Sequence, residues 1–462
     1  MKLRKPCLLG ASLALLLATP SLAQPPESTR APIAATAPRL ETLSYQVLPG
    51  DTLIDLARAY MLRPSDYRQV QSLNRVRDPR RLRIGQTLEL PIHLLKTQPE
   101  QAVVSSFRGN VQLDTGQGLR TPVQGQYVPE GAMIVTGANA FIRLALTDGS
   151  HVVVPSNSRV RVSRLRRYVI NDAVDHGLTV ERGRLENQVA PRRRPGGFVV
   201  NTPVSVSAVR GTEFRIALNE ATNSTSTEVL EGHVEVDNLI TTTEGDAQAN
   251  HAILANASGL THVVLLPAPT LSRPKAVITT PKALVDLKPL SGASAYRGRL
   301  ATDAGMVEAF AETDSLQGQE QLDFGSLDDG IYYLQLSALS DQGVEGRSTI
   351  YRLIRVRNEL GGLAADRLTD LQLETYRFRW EDRSPAGTVD EAPYYRFVLY
   401  RQDEAGQALG APIVDRPGLT DTSMNLTRLE DGVYGWRVQI SRHKFGQLVE
   451  TWSDAQTLRI GQ

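Results

Sequence analysis

Along residues 45–60, YQVLPGDTLIDLARAY, an alternating pattern gives way to a helical one. Pro49-Gly50 breaks the strand, and Asp51 or Thr52 offers a side-chain oxygen to cap the helix that follows. Leu53, Leu56, Ala57 and Tyr60 fall at i, i+3, i+4 and i+7, one apolar helix face. From about residue 102 to 267 the period shortens to that of strands. RLALTDGSHVVV places Asp148-Gly149 between alternating apolar residues, a hairpin signal. GLTVERGRLENQV, GGFVVNTPVSVSAVRGTEFRIAL and STEVLEGHVEVDN each read as strand, glycine-containing turn, strand. A proline-punctuated stretch, residues 265–289, marks a boundary. Beyond it the pattern nearly repeats: LDDGIYYLQL begins at Leu327 and LEDGVYGWRV at Leu429, 102 residues later. Upstream of each lies a tyrosine-bearing strand, SAYRGRLA and PYYRFVLY, and a period near 100 residues is that of a β-sandwich.

These patterns predict a mostly β, multidomain chain. The expected order is a leader (1–23), a Pro/Ala-rich flexible spacer (24–43), a small mixed module (44–92), an all-β domain (102–267), a Pro-rich linker (268–282), and two sandwich repeats (283–357 and 363–460). The leader is read from a basic head (Lys2, Arg4, Lys5), a short apolar run, and a small-x-small site ending at Ala23. The run is too short to span a bilayer, which takes about 20 residues, and no later segment approaches that length. The mature chain is therefore expected to be exported, periplasmic and without a transmembrane segment.

Composition narrows the chemistry. The only cysteine, Cys7, lies in the leader, so the mature chain is expected to have no disulfide, thiol nucleophile or thiolate metal site. Because Cys7 precedes the apolar run, a lipoprotein anchor is not expected. Loss of Lys2, Arg4 and Lys5 takes the formal charge from +1 to −2, which gives no reason to expect nucleic acid. The seven histidines show no metal-ligand spacing. SRPK at 272–275 has Ser-x-x-Lys spacing but lacks companion motifs. PRRRPGG, residues 191–197, reads as an exposed basic loop. No cofactor, metal or catalytic residue is expected.

Residues 45–91 resemble a LysM domain throughout. YQVLPGDTLIDLARAY is similar to the family's first strand, turn and helix. RPSDYRQVQSLNRV matches its second helix, with Leu73-Asn74 at the characteristic pair, and DPRRLRIGQTLELP its loop and closing strand. The resemblance implies a βααβ fold that binds N-acetylglucosamine-containing glycans such as peptidoglycan. It places the groove between Gly50, Asp51, Thr52 and Leu53 on one wall and Asp78, Pro79, Arg80, Arg81 and Leu82 on the other. Leu53 or Leu82 would supply an apolar floor for sugar C–H faces. Asp51 reads more readily as a helix cap than as a direct sugar ligand. Asp78 stands where asparagine is commoner, and Arg80 and Arg81 add charge, a departure that favours anionic peptidoglycan over neutral chitin. Leu53, Leu56, Ala57, Leu73, Ile84 and Leu88 are expected in the core. Arg75, Arg77, Arg80, Arg81 and Arg83 read equally as a solvated face.

GNVQL, VPEGAMIVTGANAFIRLALTDGSHVVV, NTPVSVSAVRGTEFRI and EVLEGHVEV resemble a FecR domain. The family's founder relays a transport signal to a sigma factor, but it carries a cytoplasmic segment and a spanning helix ahead of this domain. Here a leader and a LysM-like module stand in that place, so sigma regulation is not carried over. Arg210 is expected to serve a structural role beside a carboxylate such as Glu213. The tandem repeats resemble fibronectin type III or immunoglobulin-like modules, with Trp380 and Tyr395 in the core and Tyr332 and Tyr434 as corner tyrosines. Together these features imply a non-enzymatic envelope protein that binds peptidoglycan and presents β domains to an envelope protein partner. An envelope sensor acting through the FecR-like domain is the alternative, and a murein hydrolase a third reading.

Overall fold

A computed structural model describes residues 42–191, 197–209, 211–273, 277–369, 373–385 and 392–461. The leader with Cys7, Arg210, the basic run 192–196 and Pro274-Lys275 lie outside the described residues. The chain there is mostly β, with helices confined to the first module.

In that module, strands Thr42–Gln46 and Thr87–Pro91 pair antiparallel, Thr42 opposite Pro91. Helix Leu53–Tyr60, a 3-10 turn Pro64–Asp66 and helix Tyr67–Leu73 connect them. Leu53, Leu56, Ala57, Val70, Leu88 and Leu90 are buried together. The strand begins at Thr42 with Leu43 buried, so the expected spacer ends before residue 43. Two residues assigned to the core are on the surface: Leu73 is 43% exposed and Ile84 69%. Leu73 ends its helix on the outer face, and Ile84 sits in a turn before the closing strand.

The second domain is built from two facing sheets around one hydrophobic core that includes Val104, Ile134, Leu144, Leu185, Phe198, Phe214 and Val234. Strand Val174–Gln188 belongs to both sheets. Its first half pairs antiparallel with Arg159–Tyr168 and parallel with Gly197–Asn201. Its second half pairs with Glu213–Asn219 and His151–Val154. The expected turn in GLTVERGRLENQV is instead a corner within one long strand, placed at Gly183 with φ +75°. A Cβ there would lie 2.5 Å from the Asn157 carbonyl oxygen and 2.6 Å from Ser158 Oγ. Only glycine combines that backbone with that approach. Gly232 makes a second corner. Ser224–Glu231 and His233–Asn238 flank it but pair with different neighbours, so STEVLEGHVEVDN is a sheet switch and not a hairpin. The Asp148-Gly149 hairpin forms as expected, closed by Ala145 opposite His151.

The remaining chain forms two sandwiches. In the first, Ala295–Ala301, Ala309–Asp314, Gly330–Leu339 and Thr349–Arg355 form one sheet, and Leu284–Asp286 with Gln321–Asp323 the other. The expected linker belongs to this sandwich. Val277–Ile278 pairs parallel with Thr349–Arg355, and Leu271 is buried against its core. In the second, Leu360–Leu368, Thr375–Asp382 and Ser423–Thr427 face a sheet centred on Tyr394–Arg401 and Gly432–Lys444. Trp380, Tyr395, Phe378, Phe397 and Trp436 fill the space between. Tyr332 donates its hydroxyl to the Asp328 carbonyl at 2.9 Å, and Tyr434 to that of Glu430 at 2.7 Å. Both corner tyrosines thus fasten the loop four residues upstream.

Each junction between neighbouring domains is packed. Tyr168 and Ala173, at the tip of a hairpin in the second domain, complete the core of the first module. Beside them Glu100 is buried, accepting from Thr147 Oγ1 at 2.8 Å and Arg167 Nε at 2.7 Å, with His176 Nε2 3.0 Å away. At the third junction, Asp329 accepts from Lys444 Nζ at 2.9 Å and Arg357 Nε at 3.2 Å, and Asn358 Nδ2 donates to the Val449 carbonyl.

The middle junction is ionic. The outer face of the sheet containing Glu213–Asn219 presents Arg184, Glu186, Arg215 and Glu228; the first sandwich answers with Arg297, Arg299, Glu312 and Glu345. Arg215 Nε reaches Glu228 at 3.0 Å, and its Nη1 reaches Glu345 at 2.8 Å. Arg215 Nη2 donates to the Glu345 and Gly346 carbonyls at 2.8 and 2.6 Å. Arg299 bridges Glu186 and Glu312, and Arg297 bridges Glu345 and Asp314. Burial alone would raise the Glu345 carboxyl, but Arg215, Arg297 and Arg184 hold it far below the usual range.

Two outcomes follow from this packing. Gly183→Ala forces a Cβ into the Asn157–Ser158 turn at positive φ and should cost at least about 1–3 kcal/mol, read from denaturant midpoints of the purified chain. At Glu100, burial raises the carboxyl, but the hydrogen bonds from His176, Thr147 and Arg167 outweigh it and the net shift is downward. A depressed carboxyl stabilises the fold above its unfolded pKa, about 4.3, and that contribution disappears as pH falls through the folded value. Melting temperature should therefore fall on acidification, and Glu100→Gln should flatten that acid limb while lowering the plateau at neutral pH.

Candidate binding groove

The groove implied for the first module is assembled from two turns. The ladder of the two strands continues past Gln46: Val47 donates to the Gln86 carbonyl and Gly85 to the Val47 carbonyl, both at 2.9 Å. The chain then reverses through Leu48–Asp51, with Gly50 at φ +93°. Nothing lies within 4 Å of a Cβ built on Gly50, so glycine is needed there for its backbone conformation alone.

Asp51 is not the helix cap. Its Oδ2 accepts from the Leu48 N–H at 2.7 Å and from the Tyr45 hydroxyl at 2.8 Å, which locks the turn. Burial and the Asp51 carboxylate together keep Tyr45 protonated by raising its pKa. Thr52 is the cap: its Oγ1 accepts from the Asp55 N–H at 3.1 Å and donates to Asp55 Oδ2 at 2.6 Å. Its hydroxyl hydrogen is thereby used inside the helix terminus. Leu53, expected as apolar floor, is 0% exposed and belongs to the core.

The opposite wall is the turn Asp78–Arg81. Asp78 Oδ1 accepts from the Arg80 N–H at 2.9 Å, and the Arg81 N–H donates to the Asp78 carbonyl at 3.1 Å. The Pro79 carbonyl accepts the Leu53 N–H at 2.9 Å, and this bond ties the two walls together. Asp78, Arg80 and Arg81 are exposed, Pro79 half-buried, and Leu82 half-buried against the core. The structure thus brings Gly50, Asp51, Thr52, Pro79, Arg80 and Arg81 to one edge, and removes Leu53 and most of Leu82 from it.

Two residues missed from the sequence replace that floor. Leu48 is 56% exposed and Ile84 69%, and the Val47–Gly85 and Val47–Gln86 bonds set their turns side by side. An apolar residue in each of two adjacent glycine-bearing turns was the available signal, overlooked because Ile84 continued a core-like spacing. Asn74 is a structural clamp. Its amide donates to the Val70 and Glu89 carbonyls at 2.9 and 2.8 Å and accepts the Glu89 N–H at 2.7 Å. Arg75, Arg77, Arg80, Arg81 and Arg83 are all exposed around this edge, giving it a cationic rim.

With this geometry in place, comparison with known families identifies a class of module. Residues 45–91 match the LysM domain and residues 132–235 match the FecR protein family. The LysM match makes the first module one of the peptidoglycan-binding class. The FecR match is narrower than the β domain that contains it, whose paired strands run from Thr97–Pro99 to Gly259–Val264. A comparison with curated proteins found no match. Among solved structures, a candidate anti-sigma factor from Parabacteroides distasonis is 18% identical, covering 28% of this chain at a TM-score of 0.24. This chain spans only 57% of that protein's length. A two-domain fibronectin type III segment of chicken tenascin is 16% identical, covering 42% of this chain and 99% of its own, at a TM-score of 0.21. Among the described residues no helix is long and apolar enough to cross a membrane.

Because Thr52 caps the first helix, Thr52→Ala should cost about 0.5–2 kcal/mol of stability. Thermal unfolding should show this loss, whereas Arg80→Ala, on the exposed turn, should leave the midpoint within about 0.5 kcal/mol of the parent.

Proposed function

We propose that this chain is an exported, periplasmic protein held on peptidoglycan by its LysM domain, with the FecR-like domain and the two sandwiches presented to an envelope protein partner. Its role is binding and display, not catalysis. The observation that carries the reading is the edge of the LysM module: an exposed apolar pair, Leu48 and Ile84, flanked by backbone turns and a rim of arginines. Sugar C–H faces fit the apolar pair, and backbone groups of the turns suit acetamido substituents. The arginine rim complements the carboxylates of peptidoglycan stem peptides and has no counterpart charge on neutral chitin.

A second reading, reception of an envelope signal through the FecR-like domain, draws support from the shared core. Tyr168 and Ala173 belong to the second domain yet are buried in the LysM core, so the groove module and the FecR-like domain are mechanically joined.

Protein recovered from the periplasmic fraction should have an intact mass beginning at Gln24 and should sediment with purified, insoluble peptidoglycan. Leu48→Ser with Ile84→Ser, both on exposed side chains, should weaken sedimentation roughly tenfold or more without lowering the melting temperature. A folded double variant that sediments like the parent would place the glycan contact elsewhere, and retention of Met1 would refute export by cleavage.

A further inference from the structure

The junction between the FecR-like domain and the first sandwich is not solid. A cavity of about 280 Å³ lies between the outer sheet face of the former and the residues Met306, Val307 and Ile350 of the latter. Most of the charged groups around it are committed to partners: Arg108 to Glu308, Arg215 to Glu228 and Glu345, and Arg299 to Glu186 and Glu312. Two charged residues lining it are not. Among the described residues, Arg143 and Glu213 are half-buried and make no ion pair. His151 lines the same space with a buried Nδ1 that has no hydrogen-bond partner.

Strand order fixes where these groups stand. Arg143 is opposite Val153, which is opposite Glu186; His151 is opposite Gln188, which is opposite Glu213. Arg143 and Glu213 therefore stand three strands apart in the same sheet and two residues apart along the strand direction, a backbone separation of roughly 16 Å before the side chains lean inward. Between them the wall offers the Gln188 amide, and the facing domain offers apolar side chains and the Gln335 amide. A half-buried charge without an ion-pair partner among the described residues costs free energy, in an interface where the surrounding charges are paired. Burial, with Glu231 nearby, raises the Glu213 carboxyl although Arg215 pulls it down, so a further cation placed beside it would be bound favourably.

We propose that this interdomain cavity binds a short peptide with free ends. Arg143 and His151 take its C-terminal carboxylate, Glu213 takes its amino group, and Gln188 and Gln335 meet its amide groups. The length follows from the span: three extended residues cover at most about 10 Å, which the two long side chains bridge to the sheet. The cavity lies at or below the small end of ligand pockets, which are typically about 300–1,000 Å³, so a larger ligand does not fit. Met306, Val307 and Ile350 favour small apolar side chains over charged ones. The site is separate from the LysM groove and takes a ligand without sugar.

Titration calorimetry of the full chain with tri-alanine, its C-terminal amide and its N-acetyl form tests the proposal. Tri-alanine should bind one to one. The amide should bind roughly tenfold to a hundredfold more weakly, since a charge-assisted contact to Arg143 is lost, and the N-acetyl form should weaken through Glu213. Arg143→Gln should abolish the discrimination against the amide, and Glu213→Gln the discrimination against the N-acetyl form, each with an unchanged melting profile. If a variant fails to fold, the comparison of the three peptides on the parent chain still decides. No binding of tri-alanine, equal affinity for all three peptides, or undiminished binding to a folded Arg143→Gln variant would overturn the proposal. Because the probes lack sugar, such a failure leaves the reading of the LysM groove standing.

Discussion

Arg215 sits where two domains meet, and their relation depends on it. Its guanidinium contacts Glu228 of its own sheet, Glu345 of the first sandwich, and two backbone carbonyls beyond. Glu345 in turn receives Arg297 and lies within 3.7 Å of Arg184, while its own N–H donates to Glu228. Desolvating so many charges is expensive, and a well-packed apolar interface of the same size could hold as firmly. What the lattice adds is register. Sliding either domain by one residue would leave several buried charges unpaired, at a cost greater than the loss of a few apolar contacts.

That register governs the rest of the architecture. The sheet face carrying Arg215 also carries Arg143, His151 and Glu213, so the docking that pairs the lattice charges also roofs the cavity beside them. On the far side of the FecR-like domain, the same long strand that supplies Glu186 runs back through the Gly183 corner. Its other half is paired with Arg159–Tyr168, the hairpin strand whose end fills the LysM core. One bent strand therefore connects the ionic junction with the glycan module. The two ends of this strand answer to different chemistry: charge pairing at one, apolar burial of Tyr168 and Ala173 at the other.

The LysM edge shows how support and contact separate within one short motif. Asp51 and Thr52 are engaged in locking a turn and capping a helix, and Asn74 in clamping the helix to the closing strand. These residues make the groove without being free to line it. Exposed side chains on the adjoining turns, Leu48, Ile84 and Arg80, are those left available to a ligand.

Short-range signals were legible because their causes are local. Turn glycines, alternating periods and the repeated Asp-Gly-aliphatic-Tyr motif pointed to the β-rich multidomain class and both corner tyrosines, and the LysM resemblance implied the βααβ module. Errors arose where a local pattern had more than one tertiary outcome. Gly183 and Gly232 looked like hairpin turns and are corners between sheets; Val277–Ile278 looked like linker and is a parallel edge strand. Leu73 and Ile84 read as core with Leu53 but lie on the surface, because periodicity does not tell which turn faces water. Arg215 meets Glu345 across 130 residues of chain. No spacing rule reaches that far, since such pairing depends on how two finished domains dock. The sequence by itself determined which modules form. Only the tertiary structure decided which charges meet at their junctions and which residues, like Arg143 and Glu213, line a cavity, because that outcome depends on long-range geometry rather than on neighbours in the chain.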